Sequence, residues 1–301
     1  MAEVKLGINA CFAVKRWPEP EAWLKIVGEE LDLREAQFSF DLLDPRVEEP
    51  TRWRMCERLN QAAAKYNVHI QTTFTGLAAY CFNLLLHPDL GMRIDALRWF
   101  EEAIAVTSML GADGTGGHIA SLSMWDIQNR ERTEHLTASL MDSLHHLAEL
   151  AKLEGLKYLL WEPMPVPRER PCTIDQAKAL YEKANRDTQV PIFYCIDWGH
   201  QCTYNATGRD RDPYSWLREL AHLSPVMHVQ QTDGKMDRHW PFTRQYNQQG
   251  IIQPQRALEA IEQSGAKEVT LMLEIIHPFE TEEAQVLADL KETVEYWKQY
   301  L

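Results

Sequence analysis

The stretch PIFYCIDWGH, residues 191–200, is an apolar run that stops abruptly at an acid. Ile192 to Ile196 carry no charge, as expected of a parallel strand covered on both faces by helices. Asp197 and His200 stand where such a strand would emerge from the interior. Working outward, comparable β-rich segments are VKLGINACF from Val4, LDLREAQFSF from Leu31, VHIQTTF from Val68, DGTGGHIA from Asp113, KYLLWEP from Lys157, VMHVQQTD from Val226 and VTLMLEII from Val269. Between them lie segments with helical spacing and recognisable ends. EEPTRWRMCERLNQAAAKY follows the second strand, and DLGMRIDALRWFEEAIAVTSMLG stops at Gly111. TIDQAKALYEKAN opens on a Thr cap, and the C-terminal TEEAQVLADLKETVEYWKQYL suggests the same for Thr281. DPYSWLRELAHL and PQRALEAIEQSG carry Pro in the first turn.

Strand and helix thus alternate eight times with no Pro/Ser-rich linker, which predicts an α/β fold, a single (β/α)8 TIM barrel domain over residues 1–301. An open doubly wound sheet is the alternative. The glycine-rich fourth segment reads equally well as a loop.

Composition narrows the function. A formal charge of −13 argues against a protein that tracks a phosphate backbone, which would gather Lys and Arg. No window approaches the run of about 18 apolar residues that a membrane span needs, and MAEVKLGINACF lacks the pattern of a secretory signal. Six cysteines are scattered without a CxxC pair, so reduced thiols are expected. The expectation is a cytoplasmic protein with no nucleic-acid or membrane partner.

In a barrel, chemistry gathers at the C-terminal ends of the strands. Asp197 ends the sixth strand, Glu162 the fifth, His228 lies within the seventh and Glu274 near the end of the eighth. Singly, each acid reads equally well as a cap or an ion-pair partner, and His228 as a core histidine. Together, on four consecutive strands, they call for compensation, because buried carboxylates are costly unless paired or bound to a cation. Three carboxylates and one imidazole suit Mn²⁺, Mg²⁺ or Co²⁺.

Further candidates come from charge and aromatic character. Lys15 and Arg16 follow the first strand, and Lys235, Arg238 and His239 follow the seventh, giving candidate phosphate contacts. Trp17, with Phe12, Phe74 and Trp240, could line a pocket at the barrel mouth, and Trp198 reads as a pocket wall. His118 after the fourth strand is a candidate polar substrate contact.

Glu162–Pro163, Asp197 with His200 three residues on, His228 and Glu274 resemble, in spacing and strand order, the xylose-isomerase-like TIM barrel superfamily and its ketose 3-epimerase branch. CFAVKRW, QFSFDLLDP and QTDGKMDRHWPFT resemble the erythritol-catabolism members of that branch. The resemblance implies a metal-dependent epimerase of a small ketose or ketose phosphate, with 3-epimerisation of D-erythrulose 1-phosphate as the expected reaction. It also implies a cis-enediolate held on the metal, Glu162 and Glu274 as bases on opposite faces, and His200 as a donor to the carbonyl oxygen. Manganese is the expected cofactor, no nucleotide is implied, and the expected assembly is a homo-oligomer. Free-ketose epimerases follow the seventh-strand His with a short Asp and Arg segment, whereas this chain carries VQQTDGKMDRHWPFTRQYNQQGII, long enough to reach over the mouth. Competing readings are a lyase or dehydratase of the same superfamily, a non-enzymatic sugar-binding barrel, and an abasic-site endonuclease. The last would need several more metal ligands, with His118 and His277 as possible extras, and a basic surface.

Overall fold

Strands buried on both faces satisfy their backbone groups by pairing with one another, and here they do so in chain order. The computed structural model describes residues 2–203 and 205–301. Its strands are β1 (Glu3–Asn9), β2 (Glu35–Ser39), β3 (His69–Phe74), β4 (Gly114–Gly117), β5 (Tyr158–Trp161), β6 (Ile192–Asp197), β7 (Val226–Val229) and β8 (Glu268–Leu273). All neighbours are parallel, and β8 closes on β1 with Glu3 opposite Glu268 through Ile8 opposite Leu273. The closed ring establishes the (β/α)8 barrel over the open sheet.

The outer layer comprises α1 (Pro20–Lys25), α2 (Glu49–Tyr66), α3 (Leu90–Met109), α4 (Arg130–Leu153), α5 (Ile174–Ala184), α6 (Pro213–Leu220), α7 (Pro254–Gln263) and α8 (Glu283–Lys298). Their starts follow local chemistry: Asp89, Asn129, Thr173 and Asp212 each accept a backbone N–H of the first turn. The α8 start departs from expectation. Glu282 occupies the cap position without a side-chain bond, because Thr281 closes a turn onto Pro278 and its carbonyl accepts from Arg16. Short helices at Leu77–Tyr80, Met124–Gln128 and Arg244–Asn247 decorate the loops after β3, β4 and β7, where the sequence shows no strong periodicity. Among the described residues, no helix is long and apolar enough to cross a membrane, and all six cysteines are free.

The fourth segment is a strand made of glycine for a steric reason. A Cβ on Gly116 would lie 1.9 Å from the Leu160 carbonyl oxygen, and Gly117 has φ +132° with Thr75 Oγ1 2.0 Å from where its Cβ would be. The tight approach to β5 therefore replaces the apolar signal a strand normally carries.

Two apolar layers result. Leu159, Trp161, Ile196, Met227, Val229, Leu271 and Leu273 belong to the large cluster shared with the helices. Phe74, Tyr158, Leu160, Cys195, Val226 and Met272 form a separate cluster filling the barrel interior.

Candidate active site

Side chains along a strand alternate, so the residue two steps beyond an interior position also faces the barrel axis. Leu160 leads to Glu162, Cys195 to Asp197, Val226 to His228 and Met272 to Glu274. The four expected donors are thus the next layer above the apolar plug, and Asp197 stands directly opposite His228 in the β6–β7 register. All four are buried, and one donor atom from each lies within 4.8 Å of the others.

Hydrogen bonds fix their orientation. Gln37 on β2 donates through Nε2 to Thr72 Oγ1 (3.1 Å), while its Oε1 accepts from Asn9 Nδ2 (2.7 Å) and His228 Nε2 (2.6 Å). An amide oxygen cannot donate, so His228 carries its proton on Nε2. Its Nδ1 is thereby presented to Glu162 Oε1 and Glu274 Oε2, each 3.0 Å away. A ring nitrogen between two carboxylates requires a proton or a cation, and the oxygen-rich donor set fits a hard divalent ion.

Without a metal, burial opposes the charged His228, but the adjacent Cys195 sulfur and the Glu274 and Glu162 carboxylates hold its pKa well above the usual imidazole range. The two glutamates diverge. Burial raises Glu162 despite its bond to His228; burial works the same way on Glu274, but His228, His239 and His200 outweigh it and pull Glu274 down to about 2. Asp197 is raised, chiefly by burial.

Asp197 Oδ1 accepts from the backbone N–H groups of Gly199 (2.6 Å) and His200 (3.0 Å) and from Gln230 Nε2 (2.9 Å). Gln230 reaches it only because residue 199 is Gly: a Cβ there would sit 2.3 Å from the Gln230 amide carbon. Beyond lies a cavity lined by Asn9, Phe74, Tyr80, His118, Glu162, His200, Asp237, His239 and Glu274 among others. A larger neighbouring cavity, walled by Phe40, Phe82, Met92 and Trp99, contains none of the four donors, whereas Glu162 and Glu274 line the smaller one.

Sequence candidates sort clearly around this cavity. His200 and His239 face it beside Glu162 and Glu274. His118 forms part of its wall, edge-on to Tyr80, with burial lowering its pKa to about 4 so that the ring is neutral. Lys15, Arg16, Trp17, Lys235 and Arg238 do not line it. Lys15 Nζ lies over the Phe279 ring (4.6 Å), and Arg16 Nη2 donates to the Pro278 (2.6 Å) and Thr281 (3.2 Å) carbonyls, clamping the β8 loop. Arg238 pairs with Asp233 at 2.9 Å and covers Trp240, Lys235 stands exposed on the adjoining turn, and Trp17 packs on buried Phe12. Trp198 is core rather than pocket wall, since it packs against Trp297 under α8. His277 is bonded to Asp289 at 3.0 Å, away from the donors. Sequence reasoning missed Asn9, Gln37, Gln230, Asp237 and Tyr80.

The family model for the xylose isomerase-like TIM barrel matches residues 29–300. The chain belongs to that family. Among curated proteins it is 28% identical over 298 residues to the D-erythrulose 1-phosphate 3-epimerase of Brucella abortus (strain 2308), covering 98% of this chain and 96% of that one. Among solved structures, a putative xylose isomerase from Rhodospirillum rubrum ATCC 11170 superposes with TM-score 0.93 at 34% identity over 99% of both chains. A D-psicose 3-epimerase from Clostridium cellulolyticum H10 shares the fold, with TM-score 0.73 and 13% identity over 99% of both chains.

Proposed function

We propose that this chain is a divalent-metal-dependent sugar epimerase that inverts C3 of a small ketose phosphate, D-erythrulose 1-phosphate. The observation that carries the reading is the pair Glu162 and Glu274. They come from strands three steps apart around the barrel, reach the same His228 nitrogen at 3.0 Å, and differ in proton affinity. Inverting a carbon beside a ketone requires one group to take the C–H proton and another to return one on the opposite face. Glu274, held ionised, is the base for one epimer, and Glu162, which retains a proton more readily, is the acid; the reverse reaction exchanges the roles. A divalent ion on Glu162, Asp197, His228 and Glu274, proposed to be Mn²⁺, Mg²⁺ or Co²⁺, would polarise the ketone and spread the charge of the enediolate. Gln37 holds His228 in the ligating tautomer, and Gln230 holds Asp197.

The phosphate is supported by the Brucella relative, whose match runs nearly end to end. A cytoplasmic homo-oligomer is the proposed setting, in keeping with the free cysteines and with exposed Leu77, Tyr80, Phe82, Leu90, Met92 and Ile94 in one segment. The test is kcat/KM of metal-reconstituted protein for D-erythrulose 1-phosphate beside free erythrulose, psicose and tagatose. Preference for the phosphate by a hundredfold or more supports the reading; preference for a free ketose removes the phosphate from it.

A further inference from the structure

We infer that His118 reads a neutral hydroxyl of the substrate, on the carbon that follows the inverted one, and so helps to set which ketose is accepted. The inference rests on the epimerase reading above. Among the described residues lining the cavity that holds Glu162 and Glu274, His118 alone has buried side-chain polar atoms without a hydrogen-bond partner. The residue is 2% exposed, and both Nδ1 and Nε2 are shielded from solvent. An imidazole left in this state costs stability, because the hydrogen bonds it would make to water are not replaced. A ligand group entering the cavity supplies the missing partner.

The place of this ring follows from the strand that carries it. β4 ends at Gly117, whose carbonyl accepts the Glu162 N–H at 2.9 Å, so His118 stands one strand from the proposed acid. The four metal-fitting donors come from β5 to β8, and His118 lies on the next strand, outside that set. Asp41, an acid on the same flank, is already engaged: its carboxylate accepts the N–H groups of Leu77 (2.7 Å) and Ala78 (3.0 Å). The Tyr80 ring meets His118 edge-on, with centroids 5.0 Å apart. Tyr80 stands on the four-residue helix Leu77–Tyr80, is 41% exposed, and donates to Glu169 Oε2 only at 3.4 Å, so little holds it against turning aside for an incoming group.

The chemistry of the ring selects its ligand. Burial holds the His118 pKa down at about 4, against the opposing pull of the Phe82 backbone, so the imidazole is neutral. A neutral imidazole has one N–H donor and one acceptor nitrogen. An alcohol carries the same pair and matches it, whereas a phosphate offers acceptors and seeks a positive charge that this ring does not carry. In D-erythrulose 1-phosphate, C2 is the ketone and C3 the inverted carbon, which leaves the C4 hydroxyl for His118. A site built around such a bond rejects an analogue that lacks the hydroxyl, because the buried ring is then orphaned again.

The test crosses substitutions with a substrate analogue. Metal-reconstituted full-length wild type, His118→Phe, His118→Leu and His118→Gln are assayed for kcat/KM on D-erythrulose 1-phosphate and on its 4-deoxy analogue, by chiral analysis of the product. Wild type is expected to prefer the parent substrate, and His118→Phe to reduce that preference by about tenfold or more while leaving turnover of the 4-deoxy analogue nearly unchanged. His118→Leu reports the same if the Phe ring disturbs the fold, and His118→Gln, which keeps a donor and an acceptor, should recover part of the preference. Metal-free His118→Phe is also expected to melt about 2 °C or more above wild type, since it removes an unsatisfied buried group. Equal losses on both substrates in the Phe and Leu variants would make His118 only a wall and overturn the inference. Wild type that epimerises neither substrate overturns the proposed reaction, and this inference with it; wild type that epimerises both equally well overturns this inference alone.

Discussion

Gln37→Met isolates what the layer behind the metal ligands contributes. The substitution keeps side-chain length but deletes the oxygen that accepts from His228 Nε2 at 2.6 Å and Asn9 Nδ2 at 2.7 Å. Both donors are buried, and an orphaned buried donor costs about 1–3 kcal/mol, so the metal-free protein should lose about 2 kcal/mol or more. Freed from Gln37, the His228 ring also loses the bond that fixes its tautomer. Removing such a partner ordinarily weakens metal binding by about 10–100-fold, which is roughly 1.4–2.7 kcal/mol. Gln37→Glu restores an acceptor, and the Thr72 hydroxyl can turn to donate, so affinity should return to the wild-type value or exceed it. Competition with a fluorescent chelator reads the affinity, and thermal melting of stripped protein reads the stability. Wild-type affinity within twofold for Gln37→Met would refute the orienting role.

Three further outcomes follow from the same geometry. Glu162→Gln and Glu274→Gln should each lower epimerisation by about 10²–10⁴-fold, the range for a lost proton-transfer group, read by chiral analysis of the product. Metal affinity should fall as pH falls, by about tenfold per unit for one displaced proton, because a cation competes with a proton for the His228 Nδ1, whose proton affinity the neighbouring carboxylates raise. Calorimetry in buffers of different ionisation enthalpy should detect the release, and pH-independent affinity would count against His228 as a ligand. The same proton stabilises the metal-free fold at low pH and is lost as pH rises through the raised value. Gly116→Ala should destabilise the barrel by about 3 kcal/mol, because its Cβ meets a β5 carbonyl rather than a movable side chain; an unchanged denaturant midpoint would show that β4 can shift.

The barrel and the convergence of Glu162, Asp197, His228 and Glu274 are legible in the sequence for one reason. Each donor stands two residues beyond an apolar interior position, and a charged group inside an apolar run is conspicuous. Gln37 and Gln230 are silent by the same logic, since neutral amides do not interrupt a strand pattern, and their partners lie on other strands. Asp237 hides in a charged loop, QTDGKMDRH, where an acid reads as solvated. Lys15 and Arg16 mislead in the opposite direction: two consecutive basic residues suggest an anion site, but Arg16 is spent on carbonyls that come near only when β8 closes on β1. The fourth strand is obscured because its glycines record how closely β5 approaches, a property of the folded ring rather than of the segment.

Proton exchange at C3 is the most direct test of the epimerase assignment. Metal-reconstituted protein is incubated with D-erythrulose 1-phosphate in D₂O and followed by NMR. Loss of the C3 proton signal together with appearance of the L-isomer is the predicted result. Bound metal with a C3 signal that persists undiminished would contradict it.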